Sequence, residues 1–212
     1  DVLGDRNRRP GCRILGSGVE SMSISDLKDT VAGVLSRNDL NVLVVRLCDL
    51  GYTVLGPKRQ GRSVAIGPIA ADTDLASGWR LETQPGSSRM VPRSDARVFA
   101  SGIGAHSPKR WLFPPDRELY SAEARDGGWR LHAQPPDPPS YAFVGLTACD
   151  LAALERLDDL FLNQEYGDPY YRAARGKSLT VGVDCAEPGN GCFCTSVGGS
   201  PVCAAGFDLC LT

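Results

Sequence analysis

Residues 141–161 read YAFVGLTACDLAALERLDDLF, and this stretch decides the fold. Its first six residues form an apolar run that fits a buried strand. Asp150 can cap a following helix, whose apolar side chains recur at helical spacing on one face: Leu151, Leu154, Leu157 and Phe161. A second apolar run, SLTVGV at 178–183, fits another strand. Strand, helix and strand predict a right-handed parallel βαβ unit.

Cysteines follow both strands of this predicted unit. Cys149 comes after the first strand, and Cys185 lies just past the end of the second. Parallel strands place their carboxyl ends on the same edge of a sheet, which is where open α/β sheets bind ligands. We therefore expect Cys149 and Cys185 to lie close together. Cys192 and Cys194 complete the group, and if they lie on a strand they share one face of it.

These four cysteines favour a metal centre over a disulfide framework. The chain has eight cysteines, six of them at or after Cys149, and no secretory signal precedes them. Four thiolates suit an iron–sulfur cluster or zinc. Zinc sites usually show two short cysteine pairs, whereas only one short pair, Cys192 and Cys194, occurs here. The spacing thus favours a cluster, with zinc and reduced structural thiols as alternatives. Glycines 189, 191, 198 and 199 leave backbone N–H groups free to approach sulfur.

The remaining candidate residues have simpler interpretations. We expect Cys48 and Cys210 to be core residues, and Cys203 to lie in a loop from which it can substitute as a ligand. Cys12 lies in the arm predicted at 1–21 and carries little weight as a candidate ligand. Both histidines, His106 and His132, are isolated and are expected at surface or satisfied core positions, and the carboxylates Asp158 and Asp159 on a solvent face.

The composition limits the partners and divides the chain. Apolar residues make up 42% of the 212 residues and the net charge is −2, so neither nucleic acid nor an anionic membrane is expected as a partner. No apolar run reaches the ~18 residues of a membrane span. We predict a disordered or non-native arm at 1–21, an α+β region at 22–139 and a cysteine-bearing α/β region at 140–212. The proline-rich tract QPPDPP at 134–139 marks the boundary.

The predicted N-terminal region begins with a helix and continues with strands. Ser25 or Asp26 can cap a helix over about 27–37 that ends at Asn38 and Asp39, and residues 42–50 form a second helix or a buried strand. Residues 52–55 and 63–66 form a strand hairpin, with a turn signal at 56–57. The fold class is therefore α/β, with a mixed α+β arrangement as the alternative.

Several segments resemble one known family. GLTACDLAAL at 145–154 resembles the GVRxCDLxAL segment of the sulfhydrogenase β subunit family. These proteins are electron-transfer subunits of cytosolic nickel–iron hydrogenases, and they are akin to the A subunit of anaerobic sulfite reductase. The resemblance spans about 22–212 and continues at 51–57, 109–115, 168–171, Arg175, 185–194 and 206–209. Thr147 stands where the family usually has arginine.

The resemblance implies an iron–sulfur subunit without a catalytic site of its own. A 4Fe-4S cluster would be bound by Cys149, Cys185, Cys192 and Cys194. The subunit would relay electrons in the cytoplasm between a flavin- or NAD(P)-binding subunit and the catalytic subunit of a hydrogenase or sulfite-reductase-type enzyme. A ferredoxin-like region would follow residue 212. The alternatives from the residues alone are a structural zinc module that docks subunits together and a metal-free scaffold.

Overall fold

A computed structural model describes residues 12–14, 33–95, 97–100 and 107–212. The strands in these ranges are β1 (Cys12–Ile14), β2 (Thr53–Gln60), β3 (Ser63–Pro68), β4 (Trp79–Gln84), β5 (Ser87–Pro92), β6 (Tyr120–Arg125), β7 (Gly128–Ala133), β8 (Tyr141–Thr147), β9 (Leu179–Val183) and β10 (Leu209–Leu211). The helices are α1 (Arg37–Asp49), α2 (Lys109–Leu112), α3 (Ala148–Phe161) and α4 (Pro169–Gly176), with short 3-10 helices at Asp72–Asp74 and Cys194–Val197.

A mainly parallel sheet runs through the centre of the described chain. Its strand order is β1-β10-β9-β8-β2-β3. Each strand in the series β1, β10, β9, β8 and β2 pairs in parallel with the next one. At the end of the sheet, β3 pairs antiparallel with β2. The chain passes from β8 through α3 and α4 to β9, which lies beside β8. The predicted parallel βαβ unit and the α/β fold class are confirmed.

Helices cover both faces of this sheet, and successive side chains of each strand point to opposite faces. In β8, Tyr141 and Phe143 belong to a buried cluster with residues of α3 and α4. Ala142 and Val144 belong to a second buried cluster with residues of α1. Two apolar layers therefore hold the carboxyl end of β8 in place, which is where Cys149 follows.

Gly145 interrupts the alternation within β8. Its φ is +85°, and the pairing with β9 shifts register between Val144 and Leu146. A Cβ at this position would lie 2.5 Å from the ring of Phe99. Glycine is therefore required both by the backbone conformation and by the close packing.

The N-terminal elements differ from prediction at two places. Residues 33–36 are not helical and α1 begins at Arg37, so the prediction that a helix ends at Asn38 and Asp39 is wrong. Ser36 caps α1: its hydroxyl accepts a hydrogen bond from the Asp39 N–H, and the Asp39 carboxylate accepts one from the Ser36 N–H. The rest of the predicted 27–37 helix, at 27–32, lies outside the described residues. Residues 42–50 prove to be helical up to Asp49.

The predicted hairpin of β2 and β3 is confirmed, but the chain reverses later than expected. Residues 56–57 lie inside β2, and Gly61, with a φ of +59°, lies at the reversal. Pairing of β2 with β8 ends at Leu55, so Pro57 is tolerated within the strand. Of the predicted arm at 1–21, residues 12–14 form β1 beside β10, and the others lie outside the described residues.

Two separate hairpins flank the central sheet, one of β4 with β5 and one of β6 with β7. The tract at 134–139 follows β7 and has no regular secondary structure. Strands on both sides of this tract share the central sheet, and the division into domains stays a prediction. Among the described helices, none combines the length and the apolar character needed to cross a membrane.

Candidate metal centre

Cys149 lies in the first turn of α3, immediately after β8. Thr147 is the residue before this helix, and its hydroxyl lies 3.0 Å from the Cys149 sulfur. The same hydroxyl donates to Asp150 Oδ2 at 2.9 Å, and the Thr147 backbone N–H donates to that oxygen at 3.1 Å. Burial raises the pKa of Asp150, while these two hydrogen bonds from Thr147 lower it. The bonds fix the strand-to-helix turn that carries the Cys149 thiol.

Cys185 follows β9 by two residues and lies beside Cys149 at the carboxyl edge of the sheet. Its backbone N–H donates to the Pro201 carbonyl at 2.8 Å. This bond joins the start of the cysteine loop, residues 185–194, to the segment that returns toward β10. The expectation that strands β8 and β9 bring Cys149 and Cys185 to one edge is confirmed.

The local structure of Cys192 and Cys194 differs from prediction. Neither residue lies on a strand: Cys192 closes a turn, and Cys194 begins a 3-10 helix. The Cys192 N–H donates to the Gly189 carbonyl at 3.0 Å, and the Gly199 N–H donates to the Cys194 carbonyl at 2.7 Å. These turn hydrogen bonds replace the ladder of a strand. As expected for a thiolate ligand, a glycine N–H approaches sulfur, because Gly189 N–H donates to Cys192 Sγ at 3.1 Å.

Cys185 interacts electrostatically with the three other cysteines. The pKa of the Cys185 thiol is raised, and burial is the largest cause. A hydrogen bond from the Glu187 backbone N–H lowers this pKa, while charge on Cys192, Cys149 and Cys194 raises it by smaller amounts. The pKa of Cys149 is likewise raised by burial, and Cys192 is among its smaller causes. Cys185 is therefore near enough to the three other cysteines for their charge to affect its pKa.

No three of these sulfurs, all of them in the described part of the chain, lie as close together as the ligands of one bound zinc ion. Four thiolates around one zinc, with Zn–S bonds of about 2.3 Å, lie roughly 3.8 Å from one another. Among the described residues, no three of the four sulfurs lie mutually within 4.8 Å. A cubane cluster holds its thiolates farther apart because each one binds a different iron. Four thiolates are a donor set that an iron–sulfur cluster accepts, and zinc accepts the same set.

An ion-pair network fastens the cysteine loop to the hairpin of β4 and β5. Arg93, just after β5, donates to both oxygens of Glu187 at 2.6 and 2.8 Å and to both oxygens of Asp95 at 2.7 Å. The Arg93 side chain is only 7% exposed. Its hydrogen bonds lower the pKa of Glu187 and lower that of Asp95 to about 2. The Asn190 amide also donates to the Thr83 carbonyl at 3.0 Å. The hairpin therefore holds the loop between Cys185 and Cys192 at two points.

The expectations for the other cysteines and for the histidines had different outcomes. Cys48 is exposed on α1, so the expectation that it is a core residue is wrong. Cys210 is buried, as expected. Cys203 lies in a loop, as expected, but it is buried and its sulfur lies within 4.8 Å of that of Cys210. His132 is half-exposed beside Glu123, and His106 lies outside the described residues.

Sequence reasoning missed the groups that support the cysteines. Arg93 and Glu187 pair across 94 positions, and no local pattern identifies such a pair. The sequence drew attention to Thr147 only because the family that the chain resembles usually has arginine at this position. In comparisons with protein-family models, curated proteins and solved structures, no match to this chain was found.

Proposed function

We propose that this chain is an iron–sulfur electron-transfer subunit that binds one 4Fe-4S cluster through Cys149, Cys185, Cys192 and Cys194. The observation that carries the proposal is the parallel pairing of β8 with β9, which brings Cys149 and Cys185 to one edge of the sheet, where the cysteine loop begins. The presence of only one short cysteine pair, where zinc sites usually have two, supports a cluster over a single zinc ion.

Each group in the centre has a separate role in this proposal. The four thiolates bind one iron each, with Cys149 positioned from the sheet and α3, and the other three from the cysteine loop. The Gly189 N–H donates to Cys192 Sγ, and such hydrogen bonds to sulfur stabilise negative charge there. Arg93 holds the loop closed through Glu187. When bound, the cluster would accept and release single electrons, and the chain itself would hold and position it.

The partners follow from the resemblance and from one surface of the chain. The resemblance to cytosolic hydrogenase subunits supports a cytoplasmic relay between a flavin- or NAD(P)-binding subunit and the catalytic subunit of a hydrogenase or sulfite-reductase-type enzyme. The hairpin of β6 and β7 supports a role in docking. Its paired residues place Tyr120, Trp129 and Leu131 on one face with three alanines, and these large side chains are 66–72% exposed. Exposed apolar surfaces of this kind mark interaction sites.

Substitution of the cysteines tests the cluster assignment. The full chain is reconstituted anaerobically with iron and sulfide, and the visible absorbance and the bound iron are measured. We expect Cys185→Ser to lose most of the iron and the broad visible absorbance. Cys48→Ser is the matched control, because Cys48 is exposed on α1, and it should retain both. A Cys185→Ser variant that keeps wild-type iron and colour would contradict the proposed ligand set.

A further inference from the structure

Three further groups that could bind a metal lie together, and one of them directly precedes Cys185 in the sequence. They are Asp184, directly after β9, Cys203 in the segment before β10, and Cys210 within β10. One carboxylate oxygen and the two sulfurs all lie within 4.8 Å of one another. Cys203 is 1% exposed and Cys210 is fully buried, so the two sulfurs are enclosed by protein.

We propose that Asp184, Cys203 and Cys210 form a second, mononuclear metal site that binds a thiophilic divalent cation of the Zn²⁺ class. The proposal does not depend on the iron–sulfur function, because it uses none of the four cysteines of that centre. Two thiolates and one carboxylate form a donor set that zinc accepts, and they leave one position for a backbone carbonyl or another ligand. On binding, both thiol protons leave to solvent, and the three negative ligands outweigh the charge of the cation by one.

The ligand atoms of Asp184, Cys203 and Cys210, here called the trio, lie almost as close together as the ligands of one zinc ion. The Cys203 sulfur lies within 4.8 Å of the Cys210 sulfur and 3.3 Å from the Val183 carbonyl oxygen. Asp184 Oδ1 accepts the Cys203 backbone N–H at 2.8 Å and lies 4.0 Å from Cys210 Sγ. Ligands of one zinc with bonds of about 2.0–2.3 Å lie roughly 3.5–3.8 Å apart, so small side-chain movements complete the geometry.

The sheet fixes the position of one member of the trio, Cys210. Cys210 is paired with Gly182 across the parallel strands β10 and β9, so its position is set by the strand register. Gly182 leaves the space that the Cys203 sulfur occupies, because a Cβ there would lie 3.4 Å from that sulfur and 3.3 Å from Leu151. Ligands supplied from strands are held more accurately than ligands supplied from loops alone.

Cobalt binding separates this site from the four-cysteine centre. Metal-free, reduced full chain is titrated with Co²⁺ under anaerobic conditions, and the thiolate-to-cobalt charge-transfer absorbance is followed. In a Cys192→Ser, Cys194→Ser double variant, we expect one Co²⁺ per chain to remain bound with thiolate ligation. Adding Cys203→Ala and Cys210→Ala, which keep the site small and apolar, should abolish that absorbance.

Two results would overturn the proposal. One is the absence of thiolate-ligated Co²⁺ from the first double variant, and the other is its persistence in the quadruple variant. Asp184→Asn provides a separate measure if the alanine substitutions prevent folding. It retains both sulfurs and should weaken Co²⁺ binding by at least ~10-fold, by analogy with the loss of groups around metal sites. Unchanged affinity in Asp184→Asn would also count against the site.

Discussion

Substitution of Thr147 by valine tests how the chain positions Cys149. Valine keeps the shape of threonine but removes the hydroxyl that donates to Asp150 at 2.9 Å. Burial already raises the pKa of Asp150, and the loss of this donor leaves its carboxylate less well satisfied. Losing one hydrogen bond to a charged acceptor costs about 2 kcal/mol. For a chain of this size, that corresponds to a fall in Tm of roughly 4–8 °C.

The assay is urea unfolding followed by circular dichroism, with Thr147→Ser as the matched control. Serine retains the hydroxyl, so we expect its free energy of unfolding to stay within about 0.5 kcal/mol of wild type. The denaturant slope should be unchanged in both variants, since neither alters the surface exposed on unfolding. The reasoning is refuted if Thr147→Val is as stable as wild type, or if Thr147→Ser loses as much stability as Thr147→Val.

Three further predictions address the loop, the charge pairs and the exposed hairpin. Glu187→Gln should increase several-fold the rate at which iodoacetamide alkylates Cys185, because the loop loses a charged attachment to the hairpin of β4 and β5; peptide mass spectrometry measures this rate. A hydrogen bond from Arg117 lowers the pKa of Asp168 in the folded protein. The ionised Asp168 carboxylate therefore stabilises the fold fully above the ordinary pKa of aspartate, and this stabilisation is lost as the pH falls toward the lowered pKa. Asp168→Asn should therefore cost about 1 kcal/mol in urea unfolding at neutral pH and less in acid. Trp129, 72% exposed, should account for most of the acrylamide-quenchable fluorescence, and Trp129→Phe should remove it.

Controls for these predictions come from neighbouring residues. Glu82 pairs with arginines of its own hairpin, so Glu82→Gln should leave Cys185 alkylation unchanged; equal acceleration in both variants would contradict a specific attachment. A stability difference between wild type and Asp168→Asn that grows in acid would contradict the assigned sign. Trp111→Phe should leave most of the acrylamide-quenchable fluorescence intact, because Trp111 is partly buried. If Trp111→Phe removes this fluorescence and Trp129→Phe does not, the face of the β6–β7 hairpin that carries Trp129 is covered.

The C-terminal half of the fold was predictable because its signals are local and consistent. The apolar run at β8, the helical spacing in α3 and the run at β9 each indicate one type of element, and together they fix the parallel edge that carries Cys149 and Cys185. Interactions between distant segments were not predictable in the same way. Asp158 was expected on a solvent face, yet its carboxylate accepts hydrogen bonds from Tyr171 and Arg175.

The four cysteines of the candidate centre stay a prediction from their spacing, whereas the structure shows local geometry that this spacing did not predict. Cysteine spacing identified the four thiols, but the turn at Cys192 depends on hydrogen bonds to glycines that a strand pattern does not express. The pairing of Arg93 with Glu187 depends on how a separate hairpin folds over the loop. Cys203 and Cys210 meet only because β10 inserts beside β9, an arrangement set by long-range strand pairing.

Iron and acid-labile sulfide analysis of the anaerobically reconstituted full chain, together with EPR of the dithionite-reduced protein, tests the cluster most directly. The account predicts about four irons and four sulfides per chain and a signal from a reduced 4Fe-4S cluster. One tightly bound zinc at the four-cysteine centre, with no sulfide and no EPR signal after full iron loading, would contradict it.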